Sequence, residues 1–117
     1  MEVHKHLGPG LLESVYHKCL FHEMKAREIH FLSHLTAPVD YKGYITETEL
    51  RCDFLVENCL VVELKSIDSL APVHEAQLLT YMSLLKAPKG ILINFNCVNL
   101  FRQGQKTMVN QFYRDLP

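Results

Sequence analysis

At 117 residues and 13.5 kDa, with 48% hydrophobic and 21% charged residues, the chain has the balance of one domain around a single core, not of a disordered or collagen-like polymer. No apolar run approaches the roughly 18–20 residues of a membrane helix, and the Met-Glu-Val-His-Lys-His start lacks a signal-peptide layout, so a cytoplasmic protein with no membrane role is expected. A net charge of −1 and a pI near 6.6 argue against tight, autonomous binding to nucleic acid, while leaving room for a local basic patch.

In chain order, the residues before Gly8 read as the tail of a helix, and Gly8-Pro9-Gly10 as a breaker that opens the next one. From Leu11 the apolar positions Leu11, Leu12, Val15, Tyr16, Cys19, Leu20 and Met24 recur at the helical period, predicting a helix to about Glu28. Ile29 to about Leu35 is weakly strand-like. Val39-Asp40-Tyr41, Lys42-Gly43 and Tyr44-Ile45-Thr46 make a hairpin pattern with glycine at the tight position. A second hairpin is expected from Leu50 to Val56, a turn around Glu57-Asn58-Cys59, and Leu60 to Lys65. The composition of its second half suits a central strand buried on both faces. Pro72 marks a helix start, and Val73 to Lys86 carries a helical pattern. After the break at Ala87-Pro88-Lys89-Gly90, Gly90 to Phe95 is another buried strand. Beyond it the pattern is ambiguous, with a short strand around Lys106 to Val109 as its one candidate. Without repeats or linkers, residues 1–117 read as a single α/β unit, a mixed sheet flanked by helices.

Cys19, Cys52, Cys59 and Cys97 are scattered, without the C-x-x-C pair that zinc sites usually need, and read as reduced, mostly buried thiols. The seven histidines contain no H-E-x-x-H. His4 and His6 face different ways on a helix, and His30 and His34 lie in an extended stretch, so all seven read as surface or helix-packing side chains. Gly8-Pro9-Gly10 lacks the Lys-Ser/Thr of a phosphate loop.

Two charges inside an apolar strand need an explanation. Glu63 and Lys65, two apart, share one face of the strand while Leu64 points into the core. Asp53 joins them only in an odd hairpin register. A two-residue loop at Asn58-Cys59 would pair it with Leu64 on the opposite face; a three-residue loop at Glu57-Asn58-Cys59 pairs it with Glu63, Cβ atoms about 5 Å apart. Carboxylates that close call for a cation between them. Mg²⁺ suits: a hard ion that keeps several waters, acidifies one of them and stabilises charge on phosphoryl oxygens. Lys65 would then hold the attacking hydroxide or the scissile phosphate, a set suited to phosphodiester hydrolysis. From these residues alone the alternative is a cross-strand salt bridge, Asp53 or Glu63 with Lys65, on a solvent-facing sheet surface.

Gly10-Leu11-Leu12-Glu13-Ser14-Val15-Tyr16 is a G-x-x-E-x-x-Y string. Followed in order by Arg51-Cys52-Asp53, Val62-Glu63-Leu64-Lys65, His74-Glu75-Ala76-Gln77 and Ile93-Asn94-Phe95, it resembles the GxxExxY family of PD-(D/E)XK nuclease-like proteins over about Val3 to Asn110. The resemblance implies a restriction-endonuclease-like fold with an αβββαβ core. It implies Asp53 and Glu63 as metal ligands, the Leu64 carbonyl as a third, and Lys65 as the catalytic lysine. Glu13, at the edge of the first apolar helix face and near Tyr16, would complete the metal site as helix-borne glutamates do in similar nucleases. Its other reading is a first-turn glutamate favoured by the helix dipole. Gln77 and Tyr81 are one turn apart and resemble a Q-x-x-x-Y signature in which the glutamine steadies the catalytic centre; they equally suit a polar pair fixing helix to sheet.

The expectation is a Mg²⁺- or Mn²⁺-dependent nuclease centred on Glu13, Asp53, Glu63, Lys65 and Gln77, with Tyr16 and Tyr81 in support. Its partner would be nucleic acid, DNA ahead of RNA, with a homodimer or protein partner left open. The other reading is a non-cleaving nucleic-acid- or protein-binding module on the same fold.

Overall fold

The computed structural model describes residues 1–114; the last three residues of the expected 1–117 unit lie outside them. Helices α1 (Glu2–Leu7) and α2 (Glu13–Ala26) flank the Gly8-Pro9-Gly10 breaker. Gly8 and Gly10 take φ of 66° and 100°, left-handed backbone that a Cβ would strain. Strands β1 (Phe31–Leu32), β2 (Thr36–Tyr41), β3 (Tyr44–Glu49), β4 (Phe54–Val56) and β5 (Leu60–Lys65) follow. Then come α3 (Pro72–Leu85), β6 (Lys89–Asn94), a π-helical turn (Leu100–Gly104), β7 (Gln105–Val109) and α4 (Gln111–Arg114).

The main sheet runs β1-β4-β5-β6-β7, and β2 and β3 form a separate hairpin. Only β5 and β6 are parallel, and α3 supplies the crossover that such a pair requires. β5 lies in the middle, with Val61, Val62, Glu63 and Leu64 all buried. Side-chain alternation divides its surroundings into two cores. Val61 joins Leu55, Leu92 and the Leu78, Tyr81 and Met82 side chains of α3. Val62 and Leu64 join Phe54, Phe95 and, from α2, Tyr16 and Met24. Each buried Val or Leu stabilises by roughly 1.5–3 kcal/mol, which offsets the cost of carrying Glu63 into the interior. Gly90 lets α3 close on β6, since a Cβ there would stand 2.6 Å from Met82 Sδ.

The expected elements are present, with informative differences. α2 starts at Glu13 rather than Leu11, and the stretch from Ile29 to Leu35 yields only the two residues of β1. β4 starts at Phe54 rather than Leu50, for a reason that lies in the functional site. The π-helical turn and α4 have no signal in the apolar pattern, whereas β7 falls within a residue of the strand expected there. All four cysteines are free, but only Cys52 is buried; Cys59 is exposed because it sits in the hairpin loop. Among the described residues no helix is long and apolar enough to cross a membrane.

Candidate functional site

The β4–β5 loop decides the geometry. Glu57 and Asn58 have φ of 53° and 57°, and the Cys59 N–H donates to the Val56 carbonyl at 3.0 Å, a tight turn with two left-handed residues. Strand pairing resumes at Val56–Leu60, so Cys59 is an extra residue and the loop counts three. Within the strands this is the odd register: Phe54 faces Val62, Leu55 faces Val61 and Val56 faces Leu60.

Asp53 lies one residue beyond the last strand pair, and it turns its carboxylate into the edge of the sheet. Its N–H donates to the Val62 carbonyl at 2.9 Å, while Oδ2 accepts the Leu64 N–H at 2.7 Å. The side chain thereby takes a bond that a longer β4 backbone would have made, which is why the strand stops at Phe54. The N–H and C=O of an extended residue point to the same edge, so the Leu64 carbonyl faces the Asp53 side as well.

The other oxygen, Oδ1, accepts from Nδ1–H of His17 on α2 at 2.6 Å, and the His17 ring stacks on Phe54 with centroids 4.4 Å apart. This corrects the expectation that every histidine merely packs or lies on the surface: His17 packs, and it also holds a candidate ligand. The available signal was its spacing, four residues after Glu13 and hence on the same helix face. His4, by contrast, is a packing histidine as expected, its Nε2 bonded to the Cys97 carbonyl at 2.7 Å.

Glu63 is 0% exposed. Lys65 Nζ stands 3.3 Å from its Oε1, near enough to pair as ions, and among the described residues neither Glu63 oxygen has a well-formed hydrogen bond. The pair lies along one strand and inside the protein, so the solvent-facing cross-strand bridge is not what forms. Burial pushes the Glu63 carboxyl above its ordinary range; Lys65 opposes the shift, and Asp53 and Glu13 add to it. Glu13, exposed at the first position of α2, is also raised, by partial desolvation first and then by the charge of Asp53, against Lys65 and His17. The five groups thus share one electrostatic neighbourhood around the edge that β4 leaves open. Burial, then Glu63 and Asp53, push the Cys52 thiol up to about 12, so it stays protonated at neutral pH.

The shift at Glu63 has a consequence for stability. The folded protein keeps the Glu63 proton to higher pH than the unfolded chain does. Stability is therefore lost as pH rises from the ordinary value of 4.5 through the raised one. The metal-free protein should melt at falling temperature across that window, and Glu63→Gln should flatten the decline. Parallel pH–melting curves for the two proteins would show that Glu63 carries no such penalty.

Tyr16 explains how the G-x-x-E-x-x-Y string works. Its ring is fully buried and stacks on Phe95 at 4.3 Å. Its hydroxyl donates to the Gly8 carbonyl at 2.6 Å and accepts the Leu11 N–H at 3.1 Å. Ser66 Oγ, next to Lys65, donates to the Leu11 carbonyl at 2.6 Å. The glycine turn is thus tied both to the core and to the end of β5, which brings Glu13 to the site. Tyr16→Phe should cost about 0.5–1.5 kcal/mol, because the hydroxyl's two part-buried hydrogen bonds to the glycine turn are lost. An unchanged denaturation midpoint would mean that the turn holds itself.

Not every expected residue joins the cluster. Tyr81 packs into the core on the α3 face, and Gln77, one turn before it, is half-buried outside the bonded group of Asp53, His17 and Leu64. Among the described residues no three His, Cys, Asp or Glu side chains converge closely enough to hold a metal ion. Asp53 is turned towards His17. The donor types, carboxylates and a backbone carbonyl, nevertheless fit a hard cation, and the two Glu63 oxygens that lack a well-formed hydrogen bond are the observation that points to one.

The sequence model of the PD-(D/E)XK nuclease superfamily matches residues 1–108. The chain belongs to that superfamily. The crystal structure of SSO0001 has the same fold, with a TM-score of 0.61 at 20% identity over 87% of this chain. This chain spans 55% of that one, about half its length. No curated protein matches. The five-stranded mixed sheet flanked by helices is therefore the restriction-endonuclease-like fold of the PD-(D/E)XK superfamily, with Asp53 at the end of one strand and Glu63-Leu64-Lys65 on the next.

Proposed function

We propose that this chain is a metal-dependent nuclease of the GxxExxY kind, hydrolysing phosphodiester bonds in DNA or RNA, with residues 1–117 acting as one domain. The observation that carries this reading is Glu63: fully buried, without a well-formed hydrogen bond, and paired with a lysine in a superfamily whose characteristic chemistry is nucleic-acid cleavage. Glu13, Asp53, Glu63 and the Leu64 carbonyl would hold Mg²⁺ or Mn²⁺, which when bound supplies positive charge to phosphoryl oxygens and acidifies a water. Lys65, held beside Glu63, places its ammonium where charge develops on the phosphate. Gln77 steadies the centre from α3, Tyr81 seats that helix, and Tyr16 sets Glu13. DNA is the expected substrate ahead of RNA, in the cytoplasm, with a homodimer or protein partner to raise the affinity that a net charge of −1 leaves low.

A second reading, a silent nucleic-acid- or protein-binding module, is favoured by one observation: no three ligating side chains converge among the described residues. A cleavage assay decides between them, using single- and double-stranded DNA and RNA with Mg²⁺, Mn²⁺ or a chelator. Metal-dependent cleavage supports the enzyme; intact substrates under every condition support the module.

A further inference from the structure

We propose that His17 is a positioning residue that fixes the Asp53 carboxylate for cation binding. The inference rests on the metal-dependent reading above and adds to it a residue that the superfamily motif does not contain.

Asp53 is anchored at both oxygens, Oδ2 on the Leu64 N–H at 2.7 Å and Oδ1 on His17 Nδ1–H at 2.6 Å. A carboxylate oxygen has two lone pairs, so each keeps one to offer a cation while the group is held against rotation. The Leu64 anchor is backbone and survives any side-chain change; the His17 anchor is the one that sequence controls. His17 is itself set by its stack on Phe54, with planes 19° apart, and by α2, which also carries Glu13 one turn earlier. One helix thus delivers a candidate ligand and the bracket for another. The side chains of His17 and Asp53 are 27% and 11% exposed, so water competes poorly for this short bond.

A purely structural role would need the ring over Phe54 and not its nitrogen, and two substitutions separate these. His17→Phe keeps a ring on Phe54 and removes the donor. His17→Asn removes the ring and returns an N–H near the place of Nδ1. The measurement is Mn²⁺ affinity of the purified protein by calorimetric titration, with the fold of each variant checked by its melt. Hydrogen-bond partners of metal ligands commonly govern affinity by 10- to 100-fold, so His17→Phe should weaken Mn²⁺ binding roughly tenfold or more, and His17→Asn should stay within about threefold of wild type. If His17→Phe melts early, His17→Leu repeats the loss of the donor.

Wild-type affinity in His17→Phe, or equal weakening in His17→Asn, would overturn the positioning role while leaving the metal-dependent reading intact. A wild-type protein that binds no Mn²⁺ at millimolar concentration would overturn that reading, and the role of His17 with it.

Discussion

Lys65→Ala should cut cleavage by roughly two orders of magnitude or more, as loss of a comparable electrostatic donor does. In the nuclease reading the ammonium, 3.3 Å from Glu63, would face charge that builds on the phosphate, and would then matter more in the transition state than in the bound substrate. Affinity for nucleic acid should fall only slightly, since one phosphate contact changes the salt slope by about one unit. The substitution also removes the cation beside a buried carboxylate, which costs stability unless Glu63 takes up a proton. Activity is therefore read well below the melting temperature, and the double variant Lys65→Ala/Glu63→Gln, which buries no charge at that position, controls for folding. Equal cleavage by wild type and Lys65→Ala, purified identically, would mean that Lys65 is not catalytic or that the activity belongs to a contaminant.

The second large effect is on stability. Mg²⁺ or Mn²⁺ at a hundredfold excess over its Kd should add about 2.7 kcal/mol by mass action on the folded state, a rise on the order of 10 °C for a domain of this size. Glu63→Gln should abolish the rise. The same substitution should leave the metal-free protein as stable as wild type or more so, because burial disfavours the charged Glu63 carboxyl more than Lys65 favours it. A melt insensitive to millimolar ion would favour the silent module.

Much of this arrangement is legible in the residues. Val61, Val62 and Leu64 mark β5 as a central strand by composition alone, and a buried Glu63 inside that run stands out because its neighbours leave it no water. The odd register is legible only as a condition. Whether Cys59 joins the turn or the strand depends on the left-handed backbone at Glu57 and Asn58, which neither residue type dictates. His17 is hidden for a similar reason. A regular β4 would carry Asp53 onto one face of the sheet, away from α2; only after Asp53 takes the Leu64 N–H does its other oxygen come within reach of the helix. The β2–β3 hairpin is plain from its turn, yet its separation from the main sheet is not, because alternation says which residues pair and not where the pair is docked.

The parallel pairing of β5 with β6 has a consequence for the chain as it is made. Every candidate residue from Glu13 to Tyr81 precedes β6 in the sequence, so a ribosome releases all of the chemistry before the strand that covers the second edge of β5. Until residues 89–94 emerge, β5 offers a bare edge beside Val61, Val62 and Leu64, of the kind that recruits strands from other chains. A nascent or truncated product stopped after α3 would hold the complete set of site residues and still lack what keeps it apart from its neighbours. Such a product is expected to be aggregation-prone, as chains with an open strand edge are.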